Sequence, residues 1–156
     1  MMELREFISF FDQNLFIQEF KSNTKDEVLK EIAKCLENSG NIYKADIIID
    51  LLRKREQLGT TAIGKGIAIP HCRSIATERL TVVVGIKSEG IDFDAPDQLP
   101  VKILFVIIAP PQDVNYLPFL GKLVELIRDE SVRKRLSRIR SFKGLRNVIT
   151  ESMNNE

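Results

Sequence analysis

The sequence has few of the residues that most often carry chemistry. Its 156 residues include one histidine, two cysteines and no tryptophan. The cysteines, Cys35 and Cys72, form no Cys-x-x-Cys pair, and a single histidine completes no zinc-ligand pattern. We therefore predict no metal and no other cofactor, and we expect both thiols to be free in a reducing compartment.

The chain also lacks a strong charge bias and a long apolar run. A net charge of +1 predicts no general attraction to nucleic acid or to an acidic membrane surface. The longest apolar run, 103–111, has about half of the roughly 20 residues that a membrane-spanning helix needs. Glu3 and Glu6 lie where a signal peptide would be basic or apolar. These features predict a soluble, cytoplasmic protein without membrane insertion.

What is present is typical of an ordinary globular domain. Apolar residues make up 44% of the chain and charged residues 29%, which is far from the composition of a disordered chain. A chain of this length can bury a sizeable core without a disulfide or a metal. We predict a single domain over residues 1–156, with 152–156 as a frayed tail.

Strand-like and helix-like patterns alternate along the chain. Residues 4–11 fit either a short helix or the lead-in to a strand, and strands are predicted at 15–20, 80–86 and 101–108. A first helix is predicted from a cap at Thr24 to Ser39–Gly40, and a second over 45–58 with Ile47, Ile48, Leu51 and Leu52 buried. A third is predicted over 117–128. Two more are predicted to follow caps at Ser131 and Ser141 and to end at about Thr150. Strands covered on both faces together with alternating helices predict a layered α/β fold.

The most informative stretch is 55–72, which contains the only histidine and three of the eight glycines. The short apolar run 67–69 leads to Pro70, which fixes one backbone dihedral directly before His71. A neutral imidazole held in this way has a lone pair that can attack phosphorus. The alternative is a histidine without a role, and the sequence does not show which ring nitrogen would react.

The glycines of this stretch allow two interpretations. Gly59, Gly64 and Gly66 let the backbone approach an anion and point N–H groups at it, with Thr61 as a weaker candidate donor. They equally fit a helix cap and ordinary turns. The spacing matches neither the P-loop nor the dinucleotide-binding fingerprint, so nucleotide binding is not predicted.

Taken together, these residues resemble a known signature. Arg55–Glu56, Thr61, Gly64, Gly66 and the run 67–71 are similar to the active-site motif of enzyme IIA of the bacterial phosphotransferase system (PTS), of the fructose/mannitol type that includes nitrogen-regulatory paralogues. The segments 93–95, 98–101 and 109–110, and the helical tail through 133–136, are similar too. The resemblance covers about 15–151.

The resemblance implies a mixed, about five-stranded sheet with helices on both faces. It implies that His71 accepts a phosphoryl group from a histidine-containing phosphocarrier protein and passes it to a cysteine of enzyme IIB during sugar uptake. The alternative is a nitrogen-regulatory signalling protein whose phosphorylation controls its binding to target proteins. By motif position, Arg55 would lie beside His71 and neutralise phosphoryl oxygens; without the resemblance, it is simply a cation suited to a helix C-terminus.

Two positions depart from the family pattern. Many relatives have a second histidine where this chain has Tyr116, whose hydroxyl can donate to phosphate but carries no positive charge. Cys72 follows the histidine where glycine is usual, and it is either a space-filling residue or a redox-sensitive thiol. The basic tail from 128 to 146 fits a solvated helix surface or a site for an acidic partner. It lacks the interleaved aromatic residues of a nucleic-acid platform, so no nucleic-acid partner is predicted.

Overall fold

The computed structural model describes residues 2–153. Its helices are α1 (Leu4–Ser9), α2 (Lys25–Leu36), α3 (Ala45–Gln57), α4 (Tyr116–Arg128), α5 (Glu130–Leu136) and α6 (Phe142–Met153). Its strands are β1 (Phe11–Ile17), β2 (Ala62–Gly64), β3 (Ile67–Ala68), β4 (His71–Arg73), β5 (Thr81–Ile91) and β6 (Val101–Ala109). The predicted α/β class is confirmed.

The strands form one mixed sheet in the order β1-β5-β6-β3-β2, with β4 also paired to β6. β5 and β6 are antiparallel, whereas β1 joins β5, and β3 and β4 join β6, in parallel. β3 and β4 lie one after the other along β6, separated by Ile69 and Pro70. The sheet therefore has six strands in five positions, where the resemblance implied about five strands.

Helices cover both faces of the sheet. Alternate residues of β6 point to opposite sides because side chains of a strand have a period of two. One side of β6 (Ile103, Phe105, Ile107 and Ala109) packs in a core with residues of α1, α4, α5 and α6. The other side (Leu104, Val106 and Ile108) packs in a second core with α2 and α3. This arrangement buries β6 on both faces, as its unbroken apolar run predicts.

The N-terminal half differs from the predictions in three places. The first strand begins at Phe11 instead of 15, and 4–9 form the short helix that was one of two alternatives. Thr24 caps α2 as predicted, with its hydroxyl oxygen accepting from the Glu27 N–H, but α2 ends at Leu36, before Ser39. In α3, Ile47 is 42% exposed.

The buried stripe of α3 is instead formed by Ile48, Ile49 and Leu52. These positions, spaced i, i+1 and i+4, also form a helical face, and packing on the sheet selects them over the neighbouring face.

The start of α5 and the end of α6 differ from the prediction, whereas the start of α6 agrees with it. Asp129, not Ser131, caps α5, because its carboxylate accepts from the Ser131 and Val132 N–H groups and suits the positive end of the helix. The Ser141 hydroxyl does accept from the Gly144 N–H at the start of α6. α6 continues through Met153, past the predicted end at Thr150, so Ser152 is helical. Residues 154–156 of the predicted frayed tail lie outside the described residues.

Candidate active site

His71 is the first residue of β4 and is partly exposed. The buried Pro70 precedes it, and β4 pairs His71 with Ile107 of the central strand β6. The imidazole Nδ1 lies 2.8 Å from the carbonyl oxygen of Ile69. A carbonyl can only accept, so Nδ1 carries the proton and the lone pair of the neutral ring is on Nε2. The backbone thus fixes both the orientation and the tautomer of the imidazole.

Cys72 is on the other side of the sheet from His71, because adjacent side chains of a strand point to opposite faces. It is buried in the core formed with α2 and α3. Burial raises the pKa of the Cys72 thiol to about 12. A thiol held neutral in an apolar core is a poor nucleophile, so this location favours the space-filling interpretation over a redox role.

Arg73 returns to the His71 face and was not among the predicted site residues. Its guanidinium carbon lies 4.4 Å from the centre of the Tyr116 ring, a cation–π arrangement. Its Nη1 also donates to the carbonyl of Pro111. The two contacts hold an exposed cation at a defined position near the imidazole. The period-two pattern of the strand after His71 was the signal in the sequence that could have identified it.

Tyr116 is the first residue of α4, and its ring centre lies 6.4 Å from that of His71. Burial raises the pKa of the Tyr116 hydroxyl, and the nearby charges of Arg73 and Arg55 act in the opposite direction. Nothing within residues 2–153 forms a hydrogen bond with this hydroxyl, and no buried side-chain polar atom of that range lacks a partner. The hydroxyl therefore retains solvent access, next to the N-terminus of a helix, where anions are favoured.

Arg55 lies near the end of α3, and its Nη1 donates to the carbonyl of Gly59 at 2.8 Å. Arg55 therefore holds the loop that follows α3, two residues beyond the last helical residue. The positive charge of Arg55 also acts to lower the pKa of the Tyr116 hydroxyl, so Arg55 contributes to the electrostatics of the site. Among the described residues, no hydrogen bond joins Arg55 to His71. Arg55 is a cation near the site that forms no hydrogen bond with the imidazole.

The environment of Thr61 is not the one expected of a residue that donates a hydrogen bond to a phosphate. Its hydroxyl and its N–H both donate to the Glu56 carboxylate, which also accepts from the ammonium of Lys25 at 3.1 Å. Glu56 is only 5% exposed in its side chain, so the carboxylate needs these partners. Thr61 is placed as an anchor of the loop after α3, with its hydroxyl already committed to Glu56.

Gly64 and Gly66 form the turn that joins β2 to β3, with φ values of 90° and 80°. These values lie in the region that favours glycine. The turn is at the other end of the sheet from His71: Ile67 pairs with Ile103, whereas His71 pairs with Ile107. At roughly 3.3 Å per residue, the two ends are about 13 Å apart. This placement supports a role in shaping the hairpin and does not bring the two glycines to the imidazole.

The resulting arrangement is an imidazole of fixed orientation with two arginine cations near it. An imidazole with a free Nε2, Arg73 on the same strand and Arg55 nearby suits an electrophile that carries negative charge. Within residues 2–153, no three histidine, cysteine or acidic side chains are grouped so that they could hold a metal ion. In the same part of the chain, no helix is long and apolar enough to cross a membrane.

Comparison with known proteins identifies the family. Residues 9–152 match the model of the phosphoenolpyruvate-dependent sugar phosphotransferase system, EIIA 2. The chain belongs to this family. Membership supports a phosphocarrier role for this enzyme IIA chain and, in general terms, a phosphotransferase activity.

The relatives of this enzyme IIA chain include both transport and regulatory proteins. It is 33% identical over 129 residues to the PTS system fructose-specific EIIA component of Haloferax volcanii, covering 82% of this chain and 84% of the relative. It is also 33% identical over 131 residues to a nitrogen regulatory protein of Bradyrhizobium diazoefficiens, covering 83% and 84%. The crystal structure of nitrogen regulatory protein IIA-Ntr from Neisseria meningitidis is similar, with 26% identity and a TM-score of 0.82 over 90% of this chain and 97% of that chain.

Proposed function

We propose that this enzyme IIA accepts a phosphoryl group on Nε2 of His71 from a histidine-containing phosphocarrier protein. The Nε2 lone pair forms the new N–P bond while the N–P bond to the donor histidine breaks, and the donor imidazole takes back its electron pair. The observation that carries this proposal is the 2.8 Å contact between Nδ1 and the Ile69 carbonyl, which leaves Nε2 as the free nitrogen. The same carbonyl stabilises the positive charge that develops on the ring during attack.

The neighbouring side chains have separate roles in this proposal. Arg73 shares a strand face with His71 and faces the charge of the transferring group, and Arg55 adds positive potential from α3. The Tyr116 hydroxyl donates to a phosphoryl oxygen, where many relatives have an imidazole. Thr61, Gly64 and Gly66 act indirectly, by holding the loop and hairpin that precede β4.

The surface next to the site suits protein partners. Four large apolar side chains are well exposed on the segments that flank it: Leu58, Ile75, Val114 and Leu117. Leu58 is the C-cap of α3, Ile75 follows β4, and the other two lie on either side of Tyr116 in the sequence. Exposed apolar side chains around a polar centre are typical of protein interaction sites. We expect the phosphocarrier protein, and an enzyme IIB whose cysteine receives the group, to dock here in turn, in the cytoplasm.

The second candidate function is regulation. A nitrogen regulatory protein is as similar to the chain as a fructose-specific component is, at 33% identity each. In this case, phosphorylation of His71 changes the charge at the docking surface and thereby selects target proteins, without onward transfer to a sugar. Both functions require the same modified histidine.

The first experiment tests the shared step. The protein is incubated with phosphoenolpyruvate, enzyme I and the phosphocarrier protein, and the modification is mapped by mass spectrometry at alkaline pH. We expect one acid-labile phosphoryl group on His71 and none in His71→Ala. Label that persists in His71→Ala, or absence of label in the folded wild type, refutes the phosphocarrier proposal.

The second experiment separates the two functions. Phosphorylated protein is mixed with the candidate enzyme IIB, and the label on the enzyme IIB cysteine is followed with time. Rapid transfer supports sugar transport. If no candidate enzyme IIB accepts the group while a target protein binds only one of the two forms, the regulatory function is supported instead.

A further inference from the structure

A second concave site lies at the end of the sheet opposite to His71. Its volume is about 270 Å³, slightly below the range of roughly 300–1,000 Å³ that is usual for small-molecule sites. Four cationic residues and two serines line it: Lys65, Lys102, Arg133, Arg140, Ser88 and Ser137. Both serine hydroxyls already donate within the protein, that of Ser88 to Glu19 and that of Ser137 to the Lys134 carbonyl. We call this site the basic cavity. Its remaining lining includes Gly66, Ile67 and Ile103, which places it about 13 Å from His71 along β6.

Among residues 2–153, no ion pair balances the cations of the basic cavity. No acidic residue of the described chain lines it, and none of its four cations forms an ion pair with a described carboxylate. Two carboxylates contact residues of its wall: Asp97 accepts from the Lys65 N–H and interacts with the Lys65 charge, and Glu19 accepts from the N–H and the hydroxyl of Ser88. Four like charges around one small concavity repel one another, and an anion placed among them relieves that repulsion.

Two of the cations are already held in position. Arg133 donates through Nη1 to the carbonyls of Ile127 and Arg128, at the end of α4. Arg140 donates through Nη1 to the carbonyl of Ile139 at 2.7 Å. Each guanidinium keeps further N–H donors that no described group uses, since arginine has five. A ligand that binds them therefore requires less side-chain ordering than one that binds free surface arginines.

We propose that the basic cavity binds a small phosphate-bearing anion. A phosphate group carries up to two negative charges and presents oxygens in several directions, which suits cations contributed by a β-hairpin (Lys65), the strand β6 (Lys102), α5 (Arg133) and the loop after α5 (Arg140). A single carboxylate offers one charge and two coplanar oxygens, and would leave part of the lining unused. The concavity is too small for a protein surface or a nucleic-acid strand. This site is separate from the proposed phosphoryl acceptor and does not depend on it.

The test uses inorganic phosphate and pyrophosphate as probes, with citrate as a carboxylate comparison, in isothermal titration calorimetry at constant ionic strength. The charge-removing variant is Lys102→Gln with Arg140→Gln; Arg133 is left intact because it also satisfies the end of α4. The matched control is Arg138→Gln with Arg146→Gln, two exposed cations of the same region that do not line the cavity. Lys102→Gln alone, checked by circular dichroism, covers the case in which the double variant is misfolded.

We expect saturable, millimolar or tighter binding of phosphate or pyrophosphate. The double variant should lose at least tenfold in affinity, and the single variant several-fold, while the matched control and His71→Ala stay within twofold of the wild type. Equal losses in the double variant and its control would mean that net charge alone attracts the anion, which overturns the proposal. Loss in His71→Ala, absence of saturable binding, or equally tight binding of citrate would overturn it as well.

Discussion

Arg73 offers the most direct test of the electrostatic part of the site. It follows His71 by two residues on one face of β4, which puts their Cβ atoms about 6.5 Å apart at roughly 3.3 Å per residue. If the guanidinium and the phosphoryl group are separated by the same distance as the Cβ atoms, about 6.5 Å, two unit charges interact in bulk water by ~0.6 kcal/mol. A phosphoryl group with about two negative charges doubles this energy to ~1.3 kcal/mol, close to a factor of ten in an equilibrium constant.

We therefore expect Arg73→Gln to shift the equilibrium between phosphorylated phosphocarrier protein and phosphorylated His71 about tenfold towards the carrier. The matched control is Arg79→Gln, which removes an exposed cation outside the strand. The assay measures the equilibrium fraction of phosphohistidine by intact-mass spectrometry, starting from a fixed amount of phosphorylated carrier. Because Arg73 is exposed, added salt should narrow the difference between wild type and variant.

Two outcomes would refute this reasoning. If Arg73→Gln and Arg79→Gln shift the equilibrium equally, the effect belongs to net charge and not to the position of Arg73. If Arg73→Gln stays within twofold of the wild type at low salt, the guanidinium is not close enough to the phosphoryl group to act on it. In both cases, the contacts of Arg73 with Tyr116 and Pro111 would have only a structural role.

Three further predictions follow from the packing around the site. Burial raises the pKa of the Cys72 thiol from 9.0 to about 12, so its thiolate fraction at neutral pH should be about 1000-fold lower than that of an ordinary thiol. We expect the rate of its alkylation by iodoacetamide in the folded protein to be lower by the same factor. Tyr116→Phe keeps the ring and removes the hydroxyl, and should slow phosphoryl transfer by about two- to tenfold, the value of one hydrogen bond. Gly85→Ala should lower the free energy of unfolding by about 1–3 kcal/mol, because a Cβ there would lie 2.3 Å from the buried ring of Phe20.

Each of these predictions has its own control. Alkylation of Cys72 should become rapid in denaturant, and rapid alkylation in the folded state would contradict its burial. Tyr116→Phe should unfold at nearly the wild-type temperature, and an unchanged transfer rate would show that the hydroxyl does not contact the phosphoryl group. Gly121→Ala on the exposed face of α4 meets nothing within 4 Å and should stabilise the protein by about 1 kcal/mol; destabilisation equal to that of Gly85→Ala would contradict the proposed clash.

Much of the fold could be predicted because local pattern and tertiary packing agree. The capping box at Thr24, the helix that begins at Ala45 and the apolar runs of β5 and β6 each have a local physical cause. The errors arose where several local solutions were equally good. Ile47 and Ile49 both fit a helical face, and only contact with the sheet selected Ile49. Asp129 and Ser131 are both good caps, and the backbone geometry of the loop selected Asp129.

The sequence by itself determined the candidate nucleophile. A single histidine after a rigid proline, within a motif that resembles enzyme IIA, allowed one candidate, and its chemistry follows from the imidazole alone. Only the tertiary structure determined the positions of the other residues relative to His71. Pairing with β6 placed His71 and Arg73 on one face and Cys72 on the other, and separated the turn at Gly64 and Gly66 from the imidazole. These positions depend on the register of the paired strands and on which carbonyl accepts from Nδ1. Register is a property of two strands together, so the sequence of one strand does not specify it.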